Sequence, residues 1–224
     1  MSLHNFINTG RTIIAIGRNY SEHAKELGNA VPTSPFFFLK PTSSYITNGQ
    51  SIEIPENAEV HHELEMAVII GKEGRDIAAK NADEYIGGYA LALDMTARNF
   101  QQVAKNKGMP WTASKGYDTF TPIGDFIPKE DIPDYNNIDL SLEIGGVVKQ
   151  KGNTKDMIFD IPALIENVSS IMRLQPGDVI LTGTPSGVGP VKAGETITCE
   201  LSVNGRVLSH LQFPAVDRVK SAKH

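Results

Sequence analysis

Short apolar runs broken by Gly, Pro and Asn dominate the pattern, and long stretches of helical period are few. The amino-terminal part reads as a strand, "TIIAIG", then a short polar helical patch, "SEHAKELG", closed by Gly28, then a proline-bounded strand, "PFFFLKP". Asn48-Gly49 marks a turn before the apolar run containing "VHHELEMAVIIG", and "DEYIGGYALALD" reads as a further strand with Asp94 at its end. Thr96 is placed to cap a helix over "ARNFQQVAKNK", which Gly108 and Pro110 would stop. The second half offers two hairpins, around Gly145-Gly146 and Asn204-Gly205, with one helix, "IPALIENVSSIMRL", between them. After that helix come the strand "VILTG" and a glycine-rich loop, "TPSGVGP". Strands dominate without alternating regularly with helices, so the pattern predicts a β-rich, mixed or antiparallel α+β fold, a rolled sheet or barrel, over a doubly wound parallel sheet.

Composition narrows the function. A chain of 224 residues, 40% hydrophobic, is long enough to bury one good core, so a single domain over 1–224 is expected, with about residues 1–50 as a small amino-terminal lobe. The formal charge of −5 provides no net basic footprint, and nucleic acid is not an expected partner. The lone cysteine, Cys199, excludes disulfide frameworks and multi-cysteine metal sites. No apolar run approaches the roughly 20 residues of a membrane span, so no membrane partner is expected. The first 21 residues carry Arg11 and Arg18 and no acid, a faint likeness to a mitochondrial presequence, but "RTIIAIG" reads better as a strand. Mitochondrial matrix and cytoplasm both stay open as compartments.

Within a strand, residues two apart share a face, so Glu63 and Glu65 should project together, away from Leu64 and Met66. Such a pair ordinarily lies on the solvated side of a half-exposed strand, yet "MAVIIG" continues too apolar for a surface strand. Two buried acids would repel each other and resist ionising, and a divalent cation removes that difficulty. Oxygen donors select Mg²⁺, Mn²⁺ or Ca²⁺ over zinc, and Asp94 can complete a three-carboxylate face with coordination left for substrate. His61 and His62 lack the H-E-x-x-H spacing of a zinc helix and read as orienting or packing residues.

With these residues in place, the chain resembles the fumarylacetoacetate hydrolase family, in its acylpyruvase branch. The resemblance is carried by "GRNYSEHAKEL", "PFFFLKPTSS", "HHELEMAVIIGK", "GGYALALDMTARNFQ", "WTASKGYDTFTPIG" and "LTGTPSGVGPVKAGE", six stretches in the family's order. It implies a mixed β-roll, Mg²⁺ or Mn²⁺ on Glu63, Glu65 and Asp94, and a homodimer. It also implies a lid helix near residues 20–28 bearing a His-Glu pair, matched by His23 and Glu26, together with a site lysine at Lys115 and a threonine at Thr184. The activity implied is hydrolysis of the C–C bond of 3-acylpyruvates, with pyruvate leaving as its enolate. Oxaloacetate decarboxylation, or oxaloacetate keto–enol tautomerisation, would use the same 2-oxo acid chelate without an activated water.

The residues themselves suit such chemistry, though each also has an ordinary reading. His23 and Glu26, three apart, share a face of a short helix, so the carboxylate can fix the imidazole tautomer while the other nitrogen takes a proton from water; the same residues fit a merely solvated helix. An ammonium at Lys115 can meet a developing oxyanion. Arg98 and Gln101, one turn apart, can both face the metal edge or both be exposed. "GTPSGVGP" has neither a P-loop nor a dinucleotide spacing, and its glycines suit backbone N–H donors beside Thr184 that approach a substrate carboxylate, with Arg18 of "GRNY" in a similar role.

Overall fold

The computed structural model describes residues 2–22 and 31–219. In chain order the strands are β1 (Ile13–Ile16), β2 (Phe37–Lys40), β3 (Tyr45–Ile46), β4 (Ile52–Ile54), β5 (Val60–His62), β6 (Leu64–Ile70), β7 (Ile86–Leu93) and β8 (Thr96–Ala97). They continue as β9 (Thr121–Pro122), β10 (Ile127–Pro128), β11 (Asp139–Ile144), β12 (Val147–Asn153), β13 (Val179–Leu181), β14 (Gly189–Pro190), β15 (Thr196–Val203) and β16 (Arg206–Asp217). The α-helices are short: α1 (Phe6–Thr9), α2 (Arg98–Lys107), α3 (Thr112–Lys115) and α4 (Ile161–Ile171). This is the expected mixed, β-rich α+β architecture.

A six-stranded sheet, in the order β10-β7-β6-β13-β1-β2, carries the centre of the fold. The β1–β13 pair is parallel and its other pairs are antiparallel. Strand β1 is paired on both sides, so part of the amino-terminal segment is woven into this sheet. A second sheet, β12-β11-β15-β16-β4, contains both hairpins expected from Gly145-Gly146 and Asn204-Gly205, and all four of these residues have positive φ. Smaller sheets, β14-β5-β8 and β3-β9, close the rims.

The period-two rule explains how the large sheet is buried on both faces. Leu64, Met66, Val68 and Ile70 of β6 join one apolar cluster with Tyr89, Leu91 and Leu93 of β7, while Ala67, Ile69, Ala90 and Ala92 face the other. Cys199 sits in the first cluster. Helix α4 begins as a capped helix should, with Asp160 accepting from the Ala163 N–H and a proline in its first turn. Helix α2 ends at Gly108 in the left-handed conformation, as predicted, but its start differs. Ala97 holds the N-cap position with no side-chain bond, and the Thr96 hydroxyl donates instead to Glu63 Oε1 at 3.0 Å. A buried carboxylate outcompeted the helix end for that hydroxyl.

Candidate active site

Strands β1, β7 and β13 all finish at one end of the large sheet, where β6 begins. Glu65 is the second residue of β6, on the same face as Ala67 and Ile69, and Asp94 follows β7 directly. Glu63 lies in a break between β5 and β6 rather than in one continuous strand, and its carbonyl accepts the Asp94 N–H at 2.8 Å. The break leaves the expected outcome intact: oxygens of Glu63, Glu65 and Asp94 lie within 4.8 Å of one another, and all three residues are buried.

Charge around the acids is arranged by three cations. Lys115 Nζ bridges Glu63 Oε2 at 2.8 Å and Asp94 Oδ2 at 2.5 Å. Lys40 Nζ donates to Asp94 Oδ1 at 2.5 Å and to the Phe120 carbonyl at 2.7 Å. Arg98 reaches Glu63 Oε1 at 2.5 Å through one terminal nitrogen and Gln101 Oε1 at 2.7 Å through the other. Glu65 receives a backbone donor, the Gly183 N–H at 2.6 Å. A side chain at Gly183, whose φ is +96°, would meet the Asn19 Cβ at 2.7 Å, so this donor needs glycine.

These surroundings set the protonation states. Burial, then Asp94 and Glu63, push the Glu65 carboxyl well above its ordinary range. For Lys115, burial acts downward but Asp94 and Glu63 outweigh it, so its pKa is raised. For Lys40 burial wins, aided by Lys115, and its pKa falls. Among the described residues, Glu65 has no ion-paired side-chain cation, an arrangement that a divalent ion relieves, and the all-oxygen donor set suits Mg²⁺ or Mn²⁺. The residues present therefore fit such an ion.

The acids open into a small cavity lined also by Arg18, Phe38, Gln101, Lys105, Trp111 and Thr184. Arg18, directly after the β1 end, has φ +55° and lies over the Phe36 ring at 5.7 Å. A left-handed arginine is a costly backbone state held by its surroundings. Here Asn19 supplies the hold, donating to the Phe159 and Thr182 carbonyls at 2.9 Å each and accepting from the Phe159 N–H.

The predicted site residues within the described chain thus converge: Glu63, Glu65, Asp94, Lys115, Arg98, Gln101, Arg18 and Thr184. His23 and Glu26 lie outside the described residues. Two expectations change in detail. Lys115, expected to meet a developing oxyanion, is held by two of the acids, and the backbone N–H of Gly183, in the loop expected to approach a substrate carboxylate, serves the protein's own Glu65.

Sequence reasoning missed Lys40 and Gln150. Lys40 ends an apolar strand, and only the curl of the sheet brings it to Asp94. Gln150, fully buried on β12, links the two large sheets behind the site. Its Oε1 lies 2.8 Å from His62 Nδ1 and accepts from the Leu64 N–H at 3.0 Å, while its amide donates to Thr184 Oγ1 and the Pro185 carbonyl. In a hairpin reading "VVKQK", nothing separates that glutamine from a surface one. His62 is buried against Gln150 and is not among the three clustered acids.

A curled mixed sheet with a buried three-carboxylate centre at one end defines an α+β enzyme scaffold whose acids could hold a metal ion. The chain belongs to the fumarylacetoacetate hydrolase family: the model described as "Fumarylacetoacetate (FAA) hydrolase C-terminal" matches residues 12–212. It is 59% identical over 202 residues to "Oxaloacetate decarboxylase, mitochondrial" of Dictyostelium discoideum, covering 89% of this chain and 93% of the relative. It is 56% identical over 212 residues to "Oxaloacetate tautomerase FAHD1, mitochondrial" of Arabidopsis thaliana, covering 94% and 93%. Among solved structures, fumarylpyruvate hydrolase from Pseudomonas aeruginosa, in complex with Mn²⁺ and pyruvate, superposes with a TM-score of 0.86 at 32% identity, covering 93% of this chain and 91% of that one.

Proposed function

We propose that this enzyme interconverts the keto and enol forms of oxaloacetate at a Mg²⁺ or Mn²⁺ centre on Glu63, Glu65 and Asp94, and that it works in mitochondria. The observation that carries the reading is the likeness, above 50% identity over nearly the whole chain, to proteins named for oxaloacetate chemistry and for that compartment. It supports this reaction over the acylpyruvate hydrolysis expected from the sequence, because the fumarylpyruvate hydrolase is more distant, at 32% identity. Decarboxylation of oxaloacetate is the second reading, favoured by the name of the Dictyostelium relative.

Charge also supports a 2-oxo dicarboxylate. Among the described residues, Glu63 and Asp94 are paired with Lys40, Lys115 and Arg98, while Arg18 and Lys105 line the cavity without an ion-pair partner and favour an anionic substrate. A bound divalent ion would hold the carboxylate and 2-oxo oxygen of a 2-oxo acid and acidify the protons on the neighbouring carbon.

The chain's own residues do the rest. Lys40 and Lys115 fix the Asp94 and Glu63 carboxylates, and Arg98 locks Gln101 to the same edge. Arg18 and Thr184, which also line the cavity, orient the substrate. His23, oriented by Glu26, takes a proton from the substrate's C3 and returns it to the 2-oxo oxygen, or the reverse, so no atom is gained or lost. The chain acts as a homodimer, a state to be read from sedimentation.

The test is to follow enol absorbance, CO₂ and acetate in parallel with oxaloacetate and acetylpyruvate as substrates, in Mg²⁺. Accelerated loss of enol without matching CO₂ or acetate is expected. Acetate release as the dominant turnover would restore acylpyruvate hydrolysis.

A further inference from the structure

Among the described residues, two cations of the cavity, Arg18 and Lys105, are not paired with the three acids. Lys105, on α2, lines it beside Arg18, Gln101, Trp111 and Lys115. The Lys115 and Arg98 charges are matched by Glu63 and Asp94. Among the described residues, no carboxylate lies at ion-pairing distance from the Lys105 ammonium, which sits 5.5 Å from the centre of the Trp111 ring. Its side chain is half-buried; burial, then Arg98 and Arg18, lower its pKa, with Glu63 pulling the other way. Holding an ammonium among like charges in a half-buried wall is unfavourable unless an anion arrives.

Position on the helix says which anion. Gln101 and Lys105 are four residues apart, so they share a face about 6 Å apart along the axis. Gln101 is tied through Arg98 to Glu63, at the metal end. The carboxylate carbons of a four-carbon diacid are joined by three carbon–carbon bonds of about 1.5 Å each, and in the extended form the outer oxygens reach about 6 Å apart, a matching span. We infer that Lys105 receives the distal carboxylate of a four-carbon 2-oxo dicarboxylate and so selects dicarboxylates over 2-oxo acids with an uncharged end. The assignment deepens the oxaloacetate reading and rests on it for the identity of the substrate.

The test uses two unreactive 2-hydroxy acids that differ only in the distal carboxylate, malate and lactate. Their affinities are measured by calorimetry on the Mg²⁺-loaded full chain. Wild type is expected to prefer malate by roughly ten- to a hundredfold, the range of one charge-assisted hydrogen bond. Lys105→Met, which keeps the apolar stem on Trp111, should lose most of that preference through malate alone, and Lys105→Arg should keep it. Lys107→Met, an equal charge change at an exposed position of the same helix, should leave both affinities unchanged. No malate preference in wild type, or an undiminished one in Lys105→Met, would overturn the assignment. A Lys105-dependent preference without oxaloacetate turnover would instead leave this site standing and refute the proposed reaction.

Discussion

Lys40 Nζ lies 2.5 Å from Asp94 Oδ1, although β13, β6 and β1 stand between their strands in the sheet order. The contact is possible because the sheet curls, and it makes the curl part of the site. Lys40 is buried and also satisfies the Phe120 carbonyl, so its removal strands two acceptors. Lys40→Met should cost about 3 kcal/mol in urea unfolding, the low end for breaking a buried pair, because Lys115 still holds Asp94. Combining it with Asp94→Asn should recover part of that loss. Strict additivity of the two changes would mean that the pair is not coupled.

The raised Glu65 pKa gives the metal-free protein a pH-dependent weakness. Burial, then Asp94 and Glu63, keep this carboxyl protonated in the folded chain after the unfolded chain has released its proton. Above the ordinary value of 4.5 the folded state therefore binds more protons, and its stability falls as pH rises towards the folded pKa. Mg²⁺ reverses the penalty, so its stabilisation should grow with pH across that window. Thermal melts with and without Mg²⁺ test this: Glu65→Gln should raise the metal-free melting temperature at neutral pH and abolish the Mg²⁺ response. A Mg²⁺ shift independent of pH would contradict it.

Gln150 should matter to both stability and rate without touching the acids. Gln150→Leu leaves the Leu64 N–H and the Pro185 carbonyl without their buried partner and frees Thr184. A loss of about 2–4 kcal/mol is expected from those orphaned groups. In a preparation still folded at 15 °C, KM should rise more than kcat falls, because Thr184 lines the pocket. A normal KM would show that Thr184 needs no support from β12.

His23 distinguishes the reactions. If it serves only as a proton relay, His23→Ala should lower tautomerisation by about 10²–10⁴, the range of a positioned acid–base group. Decarboxylation, which needs no proton removed from carbon, should fall far less. Equal losses in both would argue that His23 is needed for closure or binding.

Much of the site was legible because its parts obey local rules. The i, i+2 relation placed Glu63 and Glu65 together, and the apolar continuation of β6 showed that they were buried. Asp94 stood out as an acid at the end of an apolar strand, and the i, i+3 relation joined Arg98 to Gln101. What stayed hidden depends on long-range geometry. Lys40 closes an apolar strand, with nothing nearby to reveal that the sheet would curl it onto Asp94. Gln150 looks like a surface residue until the second sheet packs behind β6. Thr96 looked like a cap because local spacing cannot show a carboxylate 33 residues away competing for its hydroxyl.

The most direct measurement is the rate of enol-oxaloacetate ketonisation in Mg²⁺, after chelation, and in Glu65→Gln shown to be folded by near-UV circular dichroism. The account predicts acceleration in wild type with Mg²⁺, collapse to the uncatalysed rate on chelation, and no recovery in Glu65→Gln at any Mg²⁺ concentration. Unchanged acceleration in the folded variant, or in chelated wild type, would contradict a catalytic centre built on these three carboxylates.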